Sequence, residues 1–157
     1  MLEPYEKGNE AAWLRSFRFH VAVRPRYCEC DGQGHVSNVV YPAYLELSRL
    51  QYFKAAGDPE PLRSFAFQHV TAELTLRYVD AAFYDEELFV RSKLIALGRS
   101  SATMDQAITG AGDERIRAIA RMAVVRSRDD GTGPWTQAQR AALIAFEPTL
   151  EAVQKDG

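Results

Sequence analysis

Residues 27–49, YCECDGQGHVSNVVYPAYLELSR, set a carboxylate (Asp31), two glycines (Gly32, Gly34), a histidine (His35) and two small polar side chains (Ser37, Asn38) against a Tyr-rich segment that opens with a proline. Four chemistries use such residue types. A metal site would draw on Cys28, Glu29, Cys30, Asp31 and His35. On a strand, however, Cys28 and Cys30 face one side and Glu29 and Asp31 the other. Four ligands then do not converge, and C-x-C is not a usual zinc spacing; both cysteines read instead as small buried hydrophobes. A phosphate loop would need more than the G-x-G of Gly32 and Gly34, since no third glycine and no Lys-Ser/Thr pair follows, and Asp31 would repel the anion. Ser37 stands near His35, but no nucleophile elbow surrounds it. His20, His35 and His69 have no obvious partners, and His35 reads equally as structural or catalytic because Asp31 is so near.

The fourth chemistry is a carboxylate aimed at a helix N-terminus. Asp31 ends a strand, Gly32 and Gly34 let the backbone turn sharply, and Ser37 or Asn38 caps the helix that follows. The N–H groups of its first turn carry positive partial charge. They would polarise an acyl oxygen as an oxyanion hole does, while Asp31 activates water or attacks the carbonyl itself. On spacing alone, Asp31 reads just as well as a residue that only stabilises the turn.

The elements around this turn follow from periodicity. Phe17, Phe19, Val21 and Val23 alternate with Arg18, His20, Ala22 and Arg24, the period of a strand with one buried face, running on to the Asp31–Gly34 turn. PAYLELSRLQYFKAAG is a helix opened by Pro42 and stopped by Gly57 and Pro59. It is apolar nearly all round and therefore buried, with Glu46 and Arg49 able to pair on the remaining face. AELTLRYV, ELFVRSKLIAL, SSATMDQAIT and RIRAIARMAVVRS read as four strands at antiparallel hairpin spacing, broken by Gly98 and GAGDE. Thr136 caps a final helix, residues 136–147, and residues 1–15 form a short helix or arm. One helix wrapped by a long antiparallel sheet satisfies the layer rule, and pairing with a second copy would cover the sheet's edges and its barer face.

Composition narrows the partners. A chain of 157 residues, 46% hydrophobic and 25% charged, suits one soluble globular domain with a real core. A net charge of −2 without a basic stripe gives no reason to expect nucleic acid. MLEPYEKGNEAAW has neither the basic start nor the apolar run of a signal peptide, and no stretch is long enough for a membrane span. Two cysteines without a third partner fit a reducing compartment, so the expectation is a cytoplasmic protein with no membrane partner.

The pattern D-x-x-G-H-V-x-N-x-x-Y-x-x-Y-x-E, carried here by Asp31, Gly34, His35, Val36, Asn38, Tyr41, Tyr44 and Glu46, resembles the signature of hotdog-fold acyl-CoA thioesterases. The nearest group is the 4-hydroxybenzoyl-CoA thioesterase-like one, with relatives among the acyl-acyl-carrier-protein thioesterases. The resemblance continues through LRYVDAAFYDEELFVRSKLIALGRSS and ARMAVV and so spans residues 18–128. It implies an α+β hotdog fold, with one long central helix wrapped by a curved antiparallel β-sheet, in a single domain over residues 1–157. It implies hydrolysis of an acyl-CoA to the free acid and CoA, with Asp31 as general base or nucleophile and Asn38 beside the thioester at the start of the helix. Gly34 and His35 would shape the turn, whose neighbouring N–H groups polarise the carbonyl. Tyr41 would line the acyl pocket, and Glu46 matches an acidic helix position for which pairing with Arg49 is an equal reading. Arg99, Ser100 and Ser101 lie in a turn where relatives contact the coenzyme, by chemistry that suits phosphate; a plain solvated hairpin is the alternative. No metal and no cofactor beyond the coenzyme A of the substrate is implied. A homodimer or homotetramer is, with the site at the dimer interface. Two positions depart from the pattern: Ser37 stands where many relatives have Asn, and Asp85 where they have Gly, so the start of the following strand is expected to differ. The motif does not fix the acyl group. An acyl-carrier-protein substrate, or a non-catalytic acyl-CoA-binding role on the same fold, remains as an alternative. A hotdog hydratase would use an Asp–His pair in another motif, which is absent.

Overall fold

Alternating burial builds the sheet, and a single long helix fills it. In the computed structural model, which describes residues 8–57, 69–128 and 131–150, the elements run α1 (Glu10–Arg15), β1 (Phe19–Val23), α2 (Tyr41–Ala55), β2 (His69–Tyr78), β3 (Leu88–Leu97), β4 (Ser101–Gly110), β5 (Ile116–Arg128), β6 (Gly131–Thr132) and α3 (Gln137–Phe146). The long strands pair antiparallel in the order β1-β3-β4-β5-β2, with β6 on the end of β5. Leu88, Val90 and Leu94 of β3, Met104 and Ile108 of β4, and Ala118, Ala120, Met122 and Val124 of β5 turn inward to one core with α2. The expected helix in a curved antiparallel sheet is present.

α2 buries a stripe at helical spacing: Tyr41, Tyr44, Leu45, Ser48, Arg49, Tyr52 and Phe53. The expectation of burial all round is corrected, because Glu46, Leu47, Gln51 and Lys54 are exposed in this chain. Arg49 is corrected as well. It does pair with Glu46 at 3.2 Å, yet it lies in the buried stripe, where its Nη1 donates to His69 Nδ1 at 2.8 Å and to the His69 carbonyl at 3.2 Å. Beside it a polar seam joins helix to sheet: Ser48 Oγ meets Ser92 Oγ at 2.7 Å, and Gln106 Nε2 donates to the Leu45 carbonyl and to Ser92 Oγ, each at 2.9 Å. These bonds satisfy groups that burial would otherwise penalise.

The sheet's other face carries a smaller cluster, in which Trp13 of α1 and Phe17 pack on Ala107 and Ile119. Phe17 therefore belongs to this face and not to the row of Phe19, Val21 and Val23. Of the expected N-terminal arm, residues 8–15 are described, and 1–7 lie outside the described residues. α3 starts as expected, with Thr136 Oγ1 accepting from Gln139 N at 3.1 Å and Gln139 reaching back to Thr136 N at 2.9 Å.

β1 is shorter than the alternation suggested. It stops at Val23, and Pro25, which has no N–H for a ladder, precedes a 3-10 turn at Tyr27–Glu29. Cys28 is consequently exposed and Cys30 half-buried, which corrects the reading of both as buried hydrophobes on a strand. Asp31 sits on a turn of its own, flanked by the single bridge Cys30↔Val36.

Candidate active site

The Asp31 turn is closed by its own backbone and side chain. Asp31 N donates to the His35 carbonyl at 2.8 Å and Gly34 N to the Asp31 carbonyl at 3.0 Å. Gly34 has φ +80, a left-handed conformation that glycine adopts without strain. One carboxylate oxygen, Asp31 Oδ1, accepts from Gln33 N at 2.8 Å and from His35 N at 3.3 Å. Asp31 is exposed, and its other oxygen, Oδ2, accepts nothing among the described residues.

Two neighbours hold this turn. On one side Ser37 N donates to the Glu29 carbonyl at 2.8 Å. On the other, Val36 N donates to the Ala82 carbonyl at 2.8 Å, His35 bridges Phe83, and the two rings meet edge-on with centroids 5.2 Å apart. His35 thus contacts Asp31 through its backbone, and its ring packs on Phe83.

A cleft of about 430 Å³ opens between this turn, the start of α2 and the end of β2. Asp31, His35, Val36, Asn38 and Tyr41 line one wall, and Tyr78, Val79, Asp80 and Ala81 the other. The Tyr78 hydroxyl crosses it to the Asn38 carbonyl at 2.8 Å, and its ring meets that of Tyr41 edge-on at 5.2 Å. The Asn38 amide side chain is exposed and bonds to nothing among the described residues.

Neither Ser37 nor Asn38 caps α2, which corrects that expectation. The N-cap is Val40, with no side-chain cap, and Val40 N donates to the Ser37 carbonyl at 3.0 Å. Ala43 N and Tyr44 N both turn back to the Val40 carbonyl, and Pro42 has no N–H. Among the described residues, the backbone N–H groups of Asn38, Val39 and Tyr41 are left without an acceptor. Two residues that carry these donors, Asn38 and Tyr41, line the cleft together with Asp31.

Asp31, Gly34, His35, Asn38 and Tyr41 are brought together as expected; the other sequence candidates are not. Glu46 is exposed on α2 and lies outside the cleft lining. Arg99, Ser100 and Ser101 form the β3–β4 turn, at the opposite end of β3 from Leu88 and the 79–87 segment. A ten-residue strand puts them about 30 Å away. The 78–81 wall and the Phe83 contact were not among the sequence candidates, because they reach the Asp31 turn and Asn38 through one isolated bridge and single hydrogen bonds and not through a periodic ladder. A larger groove, about 660 Å³, runs along α1 and shares only Val79 and Asp80 with the cleft. Four of its charges pair within it, Arg115 with Asp80 at 2.7 Å and Arg91 with Glu114 at 3.4 Å, and it lacks Asp31. Among the described residues no three of His, Cys, Asp and Glu are arranged to hold a metal, and no helix is long and apolar enough to cross a membrane.

Residues 33–116 match the family model described as Thioesterase superfamily. The uncharacterized protein YsmA of Bacillus subtilis (strain 168) is 29% identical over 133 residues, 84% of this chain and 89% of its own. A thioesterase from Thermus thermophilus, solved with coenzyme A and Zn, superposes with a TM-score of 0.74 at 28% identity over 85% of this chain and 97% of its own. A predicted thioesterase from Bacillus stearothermophilus gives 0.72 at 25% identity, over 81% and 94%.

Proposed function

The chain belongs to the thioesterase superfamily, and from that premise we propose that it hydrolyses acyl-CoA thioesters to the free acid and CoA at the Asp31 cleft. Its curved sheet around α2 is the hotdog fold, and thioester hydrolysis is the activity class of its family. The observation that carries the finer reading is the placing of the Asp31 carboxylate in the cleft lining, with Oδ1 held by turn N–H groups and Oδ2 accepting nothing among the described residues.

In this reading the thioester carbonyl oxygen takes N–H bonds from the Asn38–Tyr41 stretch, where negative charge develops in the transition state. Asp31 Oδ2 accepts a proton from water as the water oxygen bonds to the carbonyl carbon. The tetrahedral intermediate then expels the CoA sulfur, which leaves with a proton. Direct attack by Oδ2, followed by hydrolysis of the anhydride, is the nucleophilic version of the same geometry. Asn38 extends its amide beside the thioester, and Tyr41 and Tyr78 wall the acyl group. Coenzyme A as the carrier draws support from the Thermus thermophilus relative, solved with it. No step runs through a metal. Free thiols at Cys28 and Cys30 fit a cytoplasmic setting.

A second copy completes the site in this reading. β2 is an edge strand of ten residues. Exposed Val39, Tyr78, Val79, Phe83 and Tyr84 crowd the neighbourhood of the cleft, more apolar surface than a lone chain keeps uncovered. Two copies paired antiparallel along β2 would set the second copy's β3–β4 turn, with its Arg99, Ser100 and Ser101, towards this chain's Tyr78 end. The coenzyme phosphates would meet those residues there, in a homodimer or in a tetramer of such pairs. Free-thiol release from a panel of acyl-CoAs, run beside light scattering, tests both parts. Turnover of at least one acyl-CoA by a dimer or tetramer is expected. A monomer at micromolar concentration would remove the shared site, and a chain that binds acyl-CoA without releasing thiol would remove the enzyme.

A further inference from the structure

Arg117, on β5, is buried and does not line the cleft. Each of its groups nevertheless ends on the segment that does, or on the turn packed beside it. Its carbonyl accepts from Val79 N at 2.8 Å and Asp80 N at 3.1 Å, which fixes the wall facing Asp31. Its guanidinium donates through Nε to Glu86 Oε1 at 3.1 Å and through Nη2 to the same oxygen, while Nη2 also donates to Asp113 Oδ2 at 2.9 Å. Nη1 donates to the Arg115 carbonyl at 3.2 Å and stands 3.8 Å from Asp80 Oδ2. The second oxygen of Glu86 accepts from Phe83 N at 3.0 Å. Phe83 bridges His35, and Ala82 next to it accepts from Val36 N. The connection therefore runs Arg117, Glu86, Phe83, His35, Asp31.

We infer that Arg117 is a positioning residue of the reaction: through Glu86 it holds the 79–86 segment, and that segment holds the Asp31 turn against the start of α2. This rests on Asp31 being the catalytic carboxylate. An ordinary ion cluster would tie side chains to one another at the surface. Here one buried cation is shared by Asp80, Glu86 and Asp113, and Glu86 passes the constraint to backbone. The packing leaves room for nothing else, since a Cβ at Gly110 would lie 2.9 Å from Arg117 Nη2 and collide with Asp113. The Asp31 turn itself has few bonds outside its own residues, so its place depends on its neighbours. Displacement by about 1 Å, from a change remote from the chemistry, can lower turnover by roughly 100-fold.

The test compares Arg117→Gln, Arg117→Lys and Glu86→Gln in the full chain. Glu86→Gln leaves Arg117 its bond to Asp113, but offers one acceptor oxygen where Phe83 N and the guanidinium used two. It therefore keeps the test open if Arg117→Gln does not fold. The expected result is a kcat lowered roughly 10–100-fold at temperatures where the variants are folded, a KM within about threefold of wild type, and partial recovery in Arg117→Lys. Amide exchange at Val36 should quicken in Glu86→Gln while the β3–β4 ladder keeps its protection. Wild-type kcat in folded Glu86→Gln overturns the inference, and so does unchanged exchange at Val36. The exchange arm uses no substrate. A wild-type chain inactive on every acyl-CoA would therefore sink the thioesterase reading, while Val36 still reports whether Arg117 places the turn.

Discussion

The Tyr44 hydroxyl donates to Glu29 Oε2 at 2.8 Å, joining the first turn of α2 to the loop that leads into Asp31. Glu29 is already committed on that loop. It accepts from Arg26 N at 2.7 Å and from the Arg26 guanidinium at 2.9 Å, and these bonds, the guanidinium's above all, hold its carboxyl below the usual range. The Tyr44 phenol is pushed the other way, chiefly by burial and then by the carboxylate it faces. The pair is thus a neutral donor on an ionised acceptor, a stronger bond than a neutral one. Tyr44→Phe should lower unfolding free energy by about 1.5–3 kcal/mol, read from urea midpoints. An unchanged midpoint would mean that helix and loop hold together without it.

Asp31→Asn separates turn from catalyst. Asn keeps an Oδ1 that can accept from Gln33 N and His35 N, so the turn's own bonds remain. The group it replaces is Oδ2, the oxygen with no donor among the described residues. Turnover should therefore fall by roughly 10²–10⁴-fold with acyl-CoA binding and thermal midpoint near wild type. A folded, ligand-binding variant with near-wild-type turnover would reduce Asp31 to turn geometry. Asn38→Ala removes no cap, since Val40 holds that position, so any loss of rate there reflects the missing amide and not a frayed helix.

Periodicity was enough for the long strands, and cap chemistry for α3, because a period of two and a Thr136–Gln139 box are local properties of the chain. α2 was legible in extent and misread in orientation. Its buried stripe contains Ser48, Arg49 and three tyrosines, so average hydrophobicity looks the same on every side. The spacing 41, 44, 45, 48, 49, 52, 53 reveals the stripe only once Arg49 is allowed inside, and its partner His69 lies beyond the helix. Pro25 did carry a signal, the end of β1, which the apolar alternation before it masked. At the cleft, the Asp31 wall is one contiguous motif and could be read directly. The facing wall of Tyr78–Ala81 is assembled by tertiary contacts, and Arg117 joins it through three carboxylates scattered along the sequence.

Asp85 shows how a departure from the family pattern is absorbed. It takes φ +60, a left-handed conformation that glycine adopts without strain. Arg24 Nη1 bonds its carbonyl at 2.8 Å and its carboxylate at 3.3 Å. Both side chains are largely exposed, so the ion pair itself adds little. Asp85→Gly, which relieves the backbone but loosens the unfolded chain, should stay within about 1 kcal/mol of wild type. Asp85→Val should cost about 1–2 kcal/mol, because a β-branched residue is an outlier at positive φ. Equal denaturation midpoints for the two variants would contradict a left-handed residue 85.

His69 gives the chain a pH-dependent stability. Its ring packs at a tilt on Phe53 with centroids 4.1 Å apart, and its Nδ1 accepts from Arg49, so the neutral ring carries its proton on Nε2. Burial first, and the Arg49 charge second, lower its pKa from 6.5 to about 4. Between these values the unfolded chain binds a proton that the folded chain refuses, so folding stability falls as pH drops through that window. At about 1.4 kcal/mol per unit, the loss from pH 7 to pH 4 is about 3 kcal/mol. Below pH 4 the folded state takes the proton too, and this group contributes no further loss. Glu147 works in the opposite direction, since burial raises its carboxyl and acid favours its folded, protonated form, so the comparison must isolate His69. In His69→Gln an amide oxygen can still accept from Arg49 but does not titrate. Its urea midpoints between pH 7 and pH 4 should decline less steeply than those of wild type, by that difference. Parallel curves would show that His69 is protonated in the folded chain as readily as in the unfolded one, and that the Arg49 pair inside the α2 stripe does not depend on a neutral ring.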